Sequence, residues 1–188
     1  MILFVNACAR SDSRTIMLAN VLLEKLDEPF EEIRLIEYDF PVTDEAFLKK
    51  RDHLISINSF NDPIFNLSSQ FAGADKIIIA APYYDLSFPA CVKQYFEQIN
   101  VLGITFRYTP EGYPEGLCQA EKLYYVTTAG GMFVPDEYGF GYVKALSENF
   151  YGIKDVKLIR AIGLDIYGAD PKKILKECAD NIRDDPDI

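Results

Sequence analysis

Short apolar segments alternate with amphipathic segments along the whole chain. Residues 2–5, 77–81, 122–127 and 156–162 are largely apolar, which predicts strands that are buried on both faces. Residues 30–38 alternate only in part, with Ile33 and Leu35 on one face, and this favours a strand at the edge of a sheet. Strands of this kind that alternate with helices predict a parallel sheet with helices on both faces.

Helical spacing of apolar residues fills the segments between the strands. The predicted helices cover residues 14–26, about 47–55, 63–73, 89–102, 138–151 and 171–182. Pro63 and Pro89 suit a first helical turn, where their missing N–H costs nothing. Asp62 is a candidate N-cap for the helix that begins at Pro63, and Ser87 or Asp85 for the helix that begins at Pro89. Residues 109–117 are rich in Gly and Pro and are predicted to form a loop.

This order of elements predicts a doubly wound, flavodoxin-like α/β fold with the strand order 2-1-3-4-5. No repeat, linker or low-complexity tract divides the chain, so residues 1–188 are expected to form a single domain. The predicted strand order places the loops after strands one, three and four side by side. Open α/β sheets bind their ligands at this carboxyl edge.

Charge and cysteine content narrow the range of functions. The chain has 19 Lys and Arg against 29 Asp and Glu, and its net charge of −10 argues against nucleic acid and anionic membranes as partners. Its four cysteines are scattered without a CxxC pair and only one histidine is present, so no metal site is expected. No segment approaches the roughly 20 apolar residues that span a bilayer. We therefore expect a cytoplasmic protein with reduced thiols.

The loop after strand one has the chemistry of a phosphate site. It carries Ser11, Ser13, Arg14 and Thr15 at the start of a predicted helix, where free amides, hydroxyls and a guanidinium can bind an anion. Neither the GxxxxGK[ST] nor the GxGxxG pattern is present at a strand end, which favours a phosphomonoester such as that of FMN. An ordinary helix cap with solvated charges is an equally open interpretation.

The loops after strands three and four supply the rest of a candidate flavin site. The first offers backbone amides and flat aromatic surface through Pro82, Tyr83, Tyr84, Asp85 and Leu86. The second allows close backbone approach through Thr128, Ala129, Gly130 and Gly131. Taken separately, the tyrosines could simply cover the sheet end and the glycines could form a plain turn. The convergence of three such loops at one edge favours a flavin.

At four segments the chain resembles the FMN-dependent NADH:quinone oxidoreductase and azoreductase family. The segments are Ser13-Arg14-Thr15, residues 79–84 (IAAPYY) with LSFPA beyond them, residues 103–109 (GITFRYT) with PEGL at 114–117, and residues 128–131 (TAGG). The similarity covers essentially the whole chain, because the segments keep the order and spacing of the family. The TFRYT element is the most specific of them.

The resemblance implies roles for individual residues. Ser13, Arg14 and Thr15 would hold the FMN phosphate, residues 83–86 would border the isoalloxazine and residues 128–131 would close its other edge. The family consists of homodimers with flavin sites at the subunit interface. Aromatic side chains would therefore cover the substrate at a neighbouring site, with Phe106, Tyr108, Phe133 and Tyr138 as candidates.

The resemblance also implies the reaction. NADH or NADPH would deliver hydride to flavin N5, and a quinone, azo or nitro compound would then be reduced in the same place, with no catalytic side chain required. The family usually has Asn where this chain has Asp85, and a larger polar residue where it has Ala129. A carboxylate beside the ring would lower the reduction potential, unless Asp85 caps the following helix instead. A flavodoxin-type electron carrier that depends on a partner reductase is the alternative function, and a domain without flavin is a third.

Overall fold

A computed structural model describes residues 1–188 and contains a five-stranded parallel sheet. Its strands are β1 (Ile2–Asn6), β2 (Phe30–Arg34), β3 (Lys76–Ala80), β6 (Lys122–Thr128) and β7 (Asp155–Ala161). The order is β2-β1-β3-β6-β7, with β2 at the edge as predicted. Two short strands missing from the prediction, β4 (Phe106–Tyr108) and β5 (Pro114–Gly116), pair as an antiparallel hairpin. The predicted numbering 2-1-3-4-5 is therefore wrong, because these two strands come before the last two of the sheet.

Six α-helices accompany the sheet. They are α1 (Arg14–Leu26), α2 (Glu45–Ser56), α3 (Asn66–Ala72), α4 (Ala90–Ile99), α5 (Phe140–Leu146) and α6 (Pro171–Asp184). The predicted helix over 138–151 is in fact a 3₁₀ turn at Asp136–Tyr138, then α5, then a π-helical turn at Ser147–Tyr151. None of the six combines the length and the apolar character needed to cross a membrane.

Alternate side chains of the strands build two separate cores, one on each face of the sheet. Leu3, Ile77 and Leu123 belong to the core that α3, α4 and α5 cover. Ile2 and Ile78, from the same strands, belong to the core that α1 and α6 cover. Helices therefore pack on both faces, which leaves the carboxyl edge of the sheet open between them.

Several predicted boundaries need correction. The strand predicted over 30–38 ends at Arg34 and continues as a 3₁₀ turn, because its partner strand β1 ends opposite it at Asn6. Asp62 does cap the turn that begins at Pro63, and its carboxylate accepts from the Ile64 amide at 3.0 Å. Neither Ser87 nor Asp85 caps α4: the residue before its first turn is Pro89, and no side chain bonds to the amides of that turn.

Candidate functional site

The carboxyl ends of β1, β3 and β6 lie next to one another, and hydrogen bonds extend their pairing into the loops. The Ala7 amide donates to the Ala80 carbonyl at 2.9 Å, and the Ala81 amide donates to Val126 at 2.9 Å. Two residues further out, the Tyr83 amide donates to the Thr128 carbonyl at 3.1 Å. The three loops singled out in the sequence therefore begin side by side on one edge.

Helix α1 directs its N-terminus at this edge. Ser13 occupies the cap position with an extended backbone (φ −62°, ψ 127°), and no side chain caps the helix. The first amides of a helix have no intrahelical acceptor and carry the positive end of its dipole. The first turn holds Arg14 and Thr15 and no acidic residue that would compete for an anion. This end of the helix can therefore bind a phosphate group.

A hydroxyl pair fastens α1 to the sheet. The Oγ1 atoms of Thr15 and Thr128 lie 2.6 Å apart, and both residues are buried. Because the Thr128 carbonyl also accepts from Tyr83, this one residue contacts both of the other loops. Thr128 thus fixes α1 and the tyrosine loop relative to each other.

The three loops enclose a cavity of about 520 Å³. This volume lies in the range of roughly 300–1,000 Å³ that is typical of cofactor and small-molecule sites. Eight predicted residues line it: Ser13, Arg14, Thr15, Pro82, Tyr83, Tyr84, Thr128 and Gly130. Four further lining residues were not predicted: Ala9, Arg10, Asp12 and Asp165. Five predicted residues are not part of the lining: Ser11, Asp85, Leu86, Ala129 and Gly131.

The structure shows where four of these five residues lie instead, namely Asp85, Leu86, Ala129 and Gly131. Asp85 and Leu86 form the tip of a tight turn in which the amides of Tyr84 and Ser87 each donate to the other's carbonyl, at 2.9 and 2.8 Å. Both tip residues are exposed and have positive φ values, 49° and 74°. Ala129 is buried, and Gly131 is exposed beside the cavity. Asp85 makes no hydrogen bond through its carboxylate, so the capping alternative is wrong.

The aromatic residues predicted to cover a substrate fall into two groups. Phe133 and Tyr138 are exposed beside the cavity, where their carbonyls accept from the hydroxyls of Tyr83 and Ser87. Phe106 is buried in the β4–β5 hairpin, and its ring lies 5.0 Å from that of Phe150. Phe106 and its neighbour Tyr108, which is exposed, do not line the cavity of their own chain.

Asp165 is a site residue that the sequence pattern did not reveal. It follows β7, and its carboxylate accepts two hydrogen bonds from the Arg14 guanidinium, at 2.9 and 3.1 Å. The hydrogen bonds from Arg14 hold the pKa of Asp165 below its usual value, and Asp165 in turn raises the pKa of Arg14. Its place just after a parallel strand is the one signal that could have suggested it.

Cys8 lies in the loop after β1 and is 1% exposed. Burial raises the pKa of its thiol, which keeps it protonated at neutral pH. Its Sγ lies 3.8 Å from the Ala80 carbonyl, with which the thiol forms a weak hydrogen bond. Cys8 is therefore a packing residue rather than a nucleophile.

Comparison with known proteins finds relatives along almost the whole chain. A family model described as a flavodoxin-like fold matches residues 1–185. An FMN-dependent NADH:quinone oxidoreductase from Clostridium beijerinckii is 34% identical over 97% of this chain and 96% of its own length. One from Clostridium perfringens is 35% identical over 94% of this chain and 92% of its own. The chain belongs to the FMN-dependent NADH:quinone oxidoreductase family.

Solved structures share the fold. An azoreductase from Bacillus anthracis superposes with a TM-score of 0.82 at 22% identity, over 97% of this chain and 98% of that one. An FMN-dependent NADH-azoreductase from the same species, solved in complex with FMN, gives a TM-score of 0.81 at 24% identity, over 97% and 95% of the two chains. The sequence relatives thus confirm the resemblance inferred from the four segments, and the solved structures confirm the fold.

Proposed function

We propose that this protein is an FMN-dependent NAD(P)H oxidoreductase that reduces quinones and azo or nitro compounds. The observation that carries the proposal is the cavity itself, in which an uncapped helix N-terminus and two tyrosines are brought together by three loops. One end of it suits a phosphate and the other a flat heteroaromatic ring. The membership of the chain in this family supports the same function.

The residues present fit FMN. The free amides at the start of α1, the Ser13 hydroxyl and the Arg14 guanidinium would hold its phosphate. Pro82, Tyr83 and Tyr84 would lie against the isoalloxazine, as apolar and aromatic surface does in cofactor sites. The Thr15 hydroxyl serves mainly to hold Thr128 in place, because the two are already bonded to each other.

Bound FMN would supply the redox chemistry, accepting hydride at N5 and passing it to the second substrate. The chain contributes orientation: the tyrosine loop is held by the Thr128 carbonyl, and Tyr83 is further held through its hydroxyl by the Phe133 carbonyl. The exposed turn at residues 84–87 forms the rim that a nicotinamide or an acceptor would pass. NADH is the donor we favour, since it is the one in the names of the relatives.

The remaining expectations from the sequence belong to this proposal. We infer a single, doubly wound FMN-binding domain over residues 1–188, and a cytoplasmic homodimer with flavin sites at the interface. Exposed Met132, Phe133 and Tyr138 beside the cavity support such an interface, because clustered apolar surface marks contact sites. In a dimer the hairpin that carries Phe106 and Tyr108 would approach the neighbouring site, which it does not reach in its own chain.

An absorbance spectrum of the purified protein, followed by NADH without oxygen, tests the function. We expect a flavin spectrum that bleaches on NADH addition and recovers with menadione or methyl red. Bleaching only through an added partner reductase would instead identify an electron carrier of the flavodoxin type. A colourless protein that does not bind added FMN would refute both functions. Sedimentation analysis at several concentrations tests the dimer separately.

A further inference from the structure

The loop after β7 is paired with the Gly-Gly loop after β6. The amides of Gly163, Leu164 and Asp165 donate to the carbonyls of Gly131, Ala129 and Gly130, at 2.9, 3.2 and 3.0 Å respectively. These bonds bring Asp165 to the wall of the cavity. Its carboxylate meets Arg14, which is 151 positions away in the chain.

Gly130 leaves room for that carboxylate. A Cβ atom added at position 130 would lie 2.3 Å from Asp165 Oδ2 and 3.0 Å from its Cγ. Contacts under 3.0 Å force one of the groups to move, so any side chain at position 130 would push the Asp165 carboxylate from its present place. Besides the close ligand approach that the sequence suggested, Gly130 thus makes room for a side chain of the chain itself.

The geometry of the ion pair leaves Arg14 with hydrogen-bonding capacity. Asp165 takes one N–H from Nη1 and one from Nη2, and a guanidinium has five N–H donors in a fixed plane. Three N–H donors remain, and two of them, Nε–H and the adjacent Nη–H, point to the same side and can meet a second anion. A pair that joins two nitrogens also fixes the plane of the guanidinium, which an unpaired arginine side chain does not maintain.

We propose that Asp165 is the positioning residue for Arg14, and that it holds the guanidinium so that its remaining donors meet the phosphate of FMN. Position 130 is glycine because this carboxylate needs the space. The proposal rests on the function proposed above. Asp165 also adds a negative charge near the phosphate, but 63% of its side chain is exposed, and solvent weakens such a repulsion. The proposal requires that the fixed geometry contributes more than this weakened repulsion opposes.

Riboflavin makes the test specific, because it is FMN without the phosphate. Flavin-free wild-type protein, Asp165→Asn and Asp165→Ala are titrated with FMN and with riboflavin, by quenching of flavin fluorescence. We expect both variants to bind FMN about tenfold more weakly, the loss of roughly one charge-assisted hydrogen bond, and riboflavin within about twofold of wild type. Asp180→Asn serves as the control. It removes a carboxylate that pairs with Lys176 and Arg183 outside the cavity, and it should change neither affinity.

Other outcomes overturn the proposal in distinguishable ways. Tighter FMN binding by Asp165→Asn would show that the carboxylate competes with the phosphate for Arg14. Equal weakening of FMN and riboflavin would assign Asp165 a structural role alone. Wild-type protein that binds riboflavin and FMN equally would remove the phosphate site, and wild-type protein that binds neither would refute the proposed function itself.

Gly130→Ala provides an independent test of the same geometry. On the wild-type background it should lower the ratio of FMN to riboflavin affinity as Asp165→Asn does, because the new Cβ displaces the carboxylate. In the Asp165→Ala background the same substitution should have little further effect on that ratio. An undiminished effect there would mean that the flavin itself requires the glycine, and the proposal would be wrong.

Discussion

The buried hydroxyl pair between Thr15 and Thr128 allows a quantitative test of how α1, the helix proposed to bind the FMN phosphate, is fixed to the sheet. Thr15 is 0% and Thr128 is 9% exposed, and their oxygens are 2.6 Å apart. Valine has nearly the shape of threonine but cannot form the bond. Thr128→Val leaves the Thr15 hydroxyl buried without its partner, which costs about 1–3 kcal/mol of unfolding free energy. Thr15→Val should cost less, about 1 kcal/mol, because Thr128 lies where water can reach it.

The double variant is the decisive one. With valine at both positions no polar group is left unpaired, and replacement of both partners by apolar groups of the same shape is close to neutral. We therefore expect it to be more stable than Thr128→Val, with a coupling free energy of about 2–4 kcal/mol between the two sites, the sum of the two single costs. Urea unfolding of the four flavin-free proteins measures these values, provided that the slope with denaturant stays constant.

Strict additivity of the two substitutions would refute this reasoning, since it would mean that the hydroxyls do not depend on each other. A double variant less stable than either single variant would also contradict it, by showing that the hydroxyls have other buried partners. The same four proteins can be titrated with FMN. If Thr128 fixes α1 relative to the tyrosine loop, the double variant should bind FMN more weakly even where its stability is restored.

Three further predictions concern single residues. Arg14→Ala should weaken FMN binding by roughly 1.5–3 kcal/mol through the loss of a charge-assisted phosphate contact, and unchanged affinity in a fluorescence titration would remove Arg14 from the site. Tyr95→Phe should raise stability by about 1 kcal/mol, because the Tyr95 hydroxyl is buried without a partner; a lower thermal midpoint would contradict this. Arg14 lowers the pKa of Asp165 in the folded state, so this pair stabilises the fold above the ordinary carboxyl pKa of about 3.9, and that stability is lost as pH falls through the lower folded value. The urea midpoint of Asp165→Asn should therefore fall less than that of wild type over this acidic range, and parallel profiles would refute the assignment.

Local patterns of apolar and polar residues were sufficient to predict most of the fold. Helix α1 was predicted over 14–26 and is found at Arg14–Leu26, because its apolar stripe and its flanking polar residues both lie within the segment. Strands β1 and β3 are buried on both faces, and their unbroken apolar runs reflect that directly. The three loops of the site were predictable for the same reason, since each follows a strand that could be recognised by itself.

Contacts between distant segments account for what the sequence did not reveal. The β4–β5 hairpin has three residues in each strand, and Gly116 is required by a neighbour far along the chain: an added Cβ would lie 2.1 Å from the Gly152 nitrogen. The pairing of Asp165 with Arg14 also joins positions that no local pattern relates. Neither periodicity nor turn chemistry contains information about such pairs.

The turn at the rim shows how tertiary contacts can override a local prediction. Asp85 and Leu86 both have positive φ, the pattern of a type I′ turn. Local rules place Gly, Asn or Asp at such positions, so Asp85 follows them and Leu86 does not. Such backbone is unfavourable for Leu86 and persists only where the surroundings hold it. Here the reciprocal bonds of Tyr84 and Ser87 close the turn, and the Ser87 hydroxyl donates to the Tyr138 carbonyl. Because that contact occupies the Ser87 hydroxyl, Ser87 does not cap α4, and the segment at 136–138 rather than the helix holds this side of the rim.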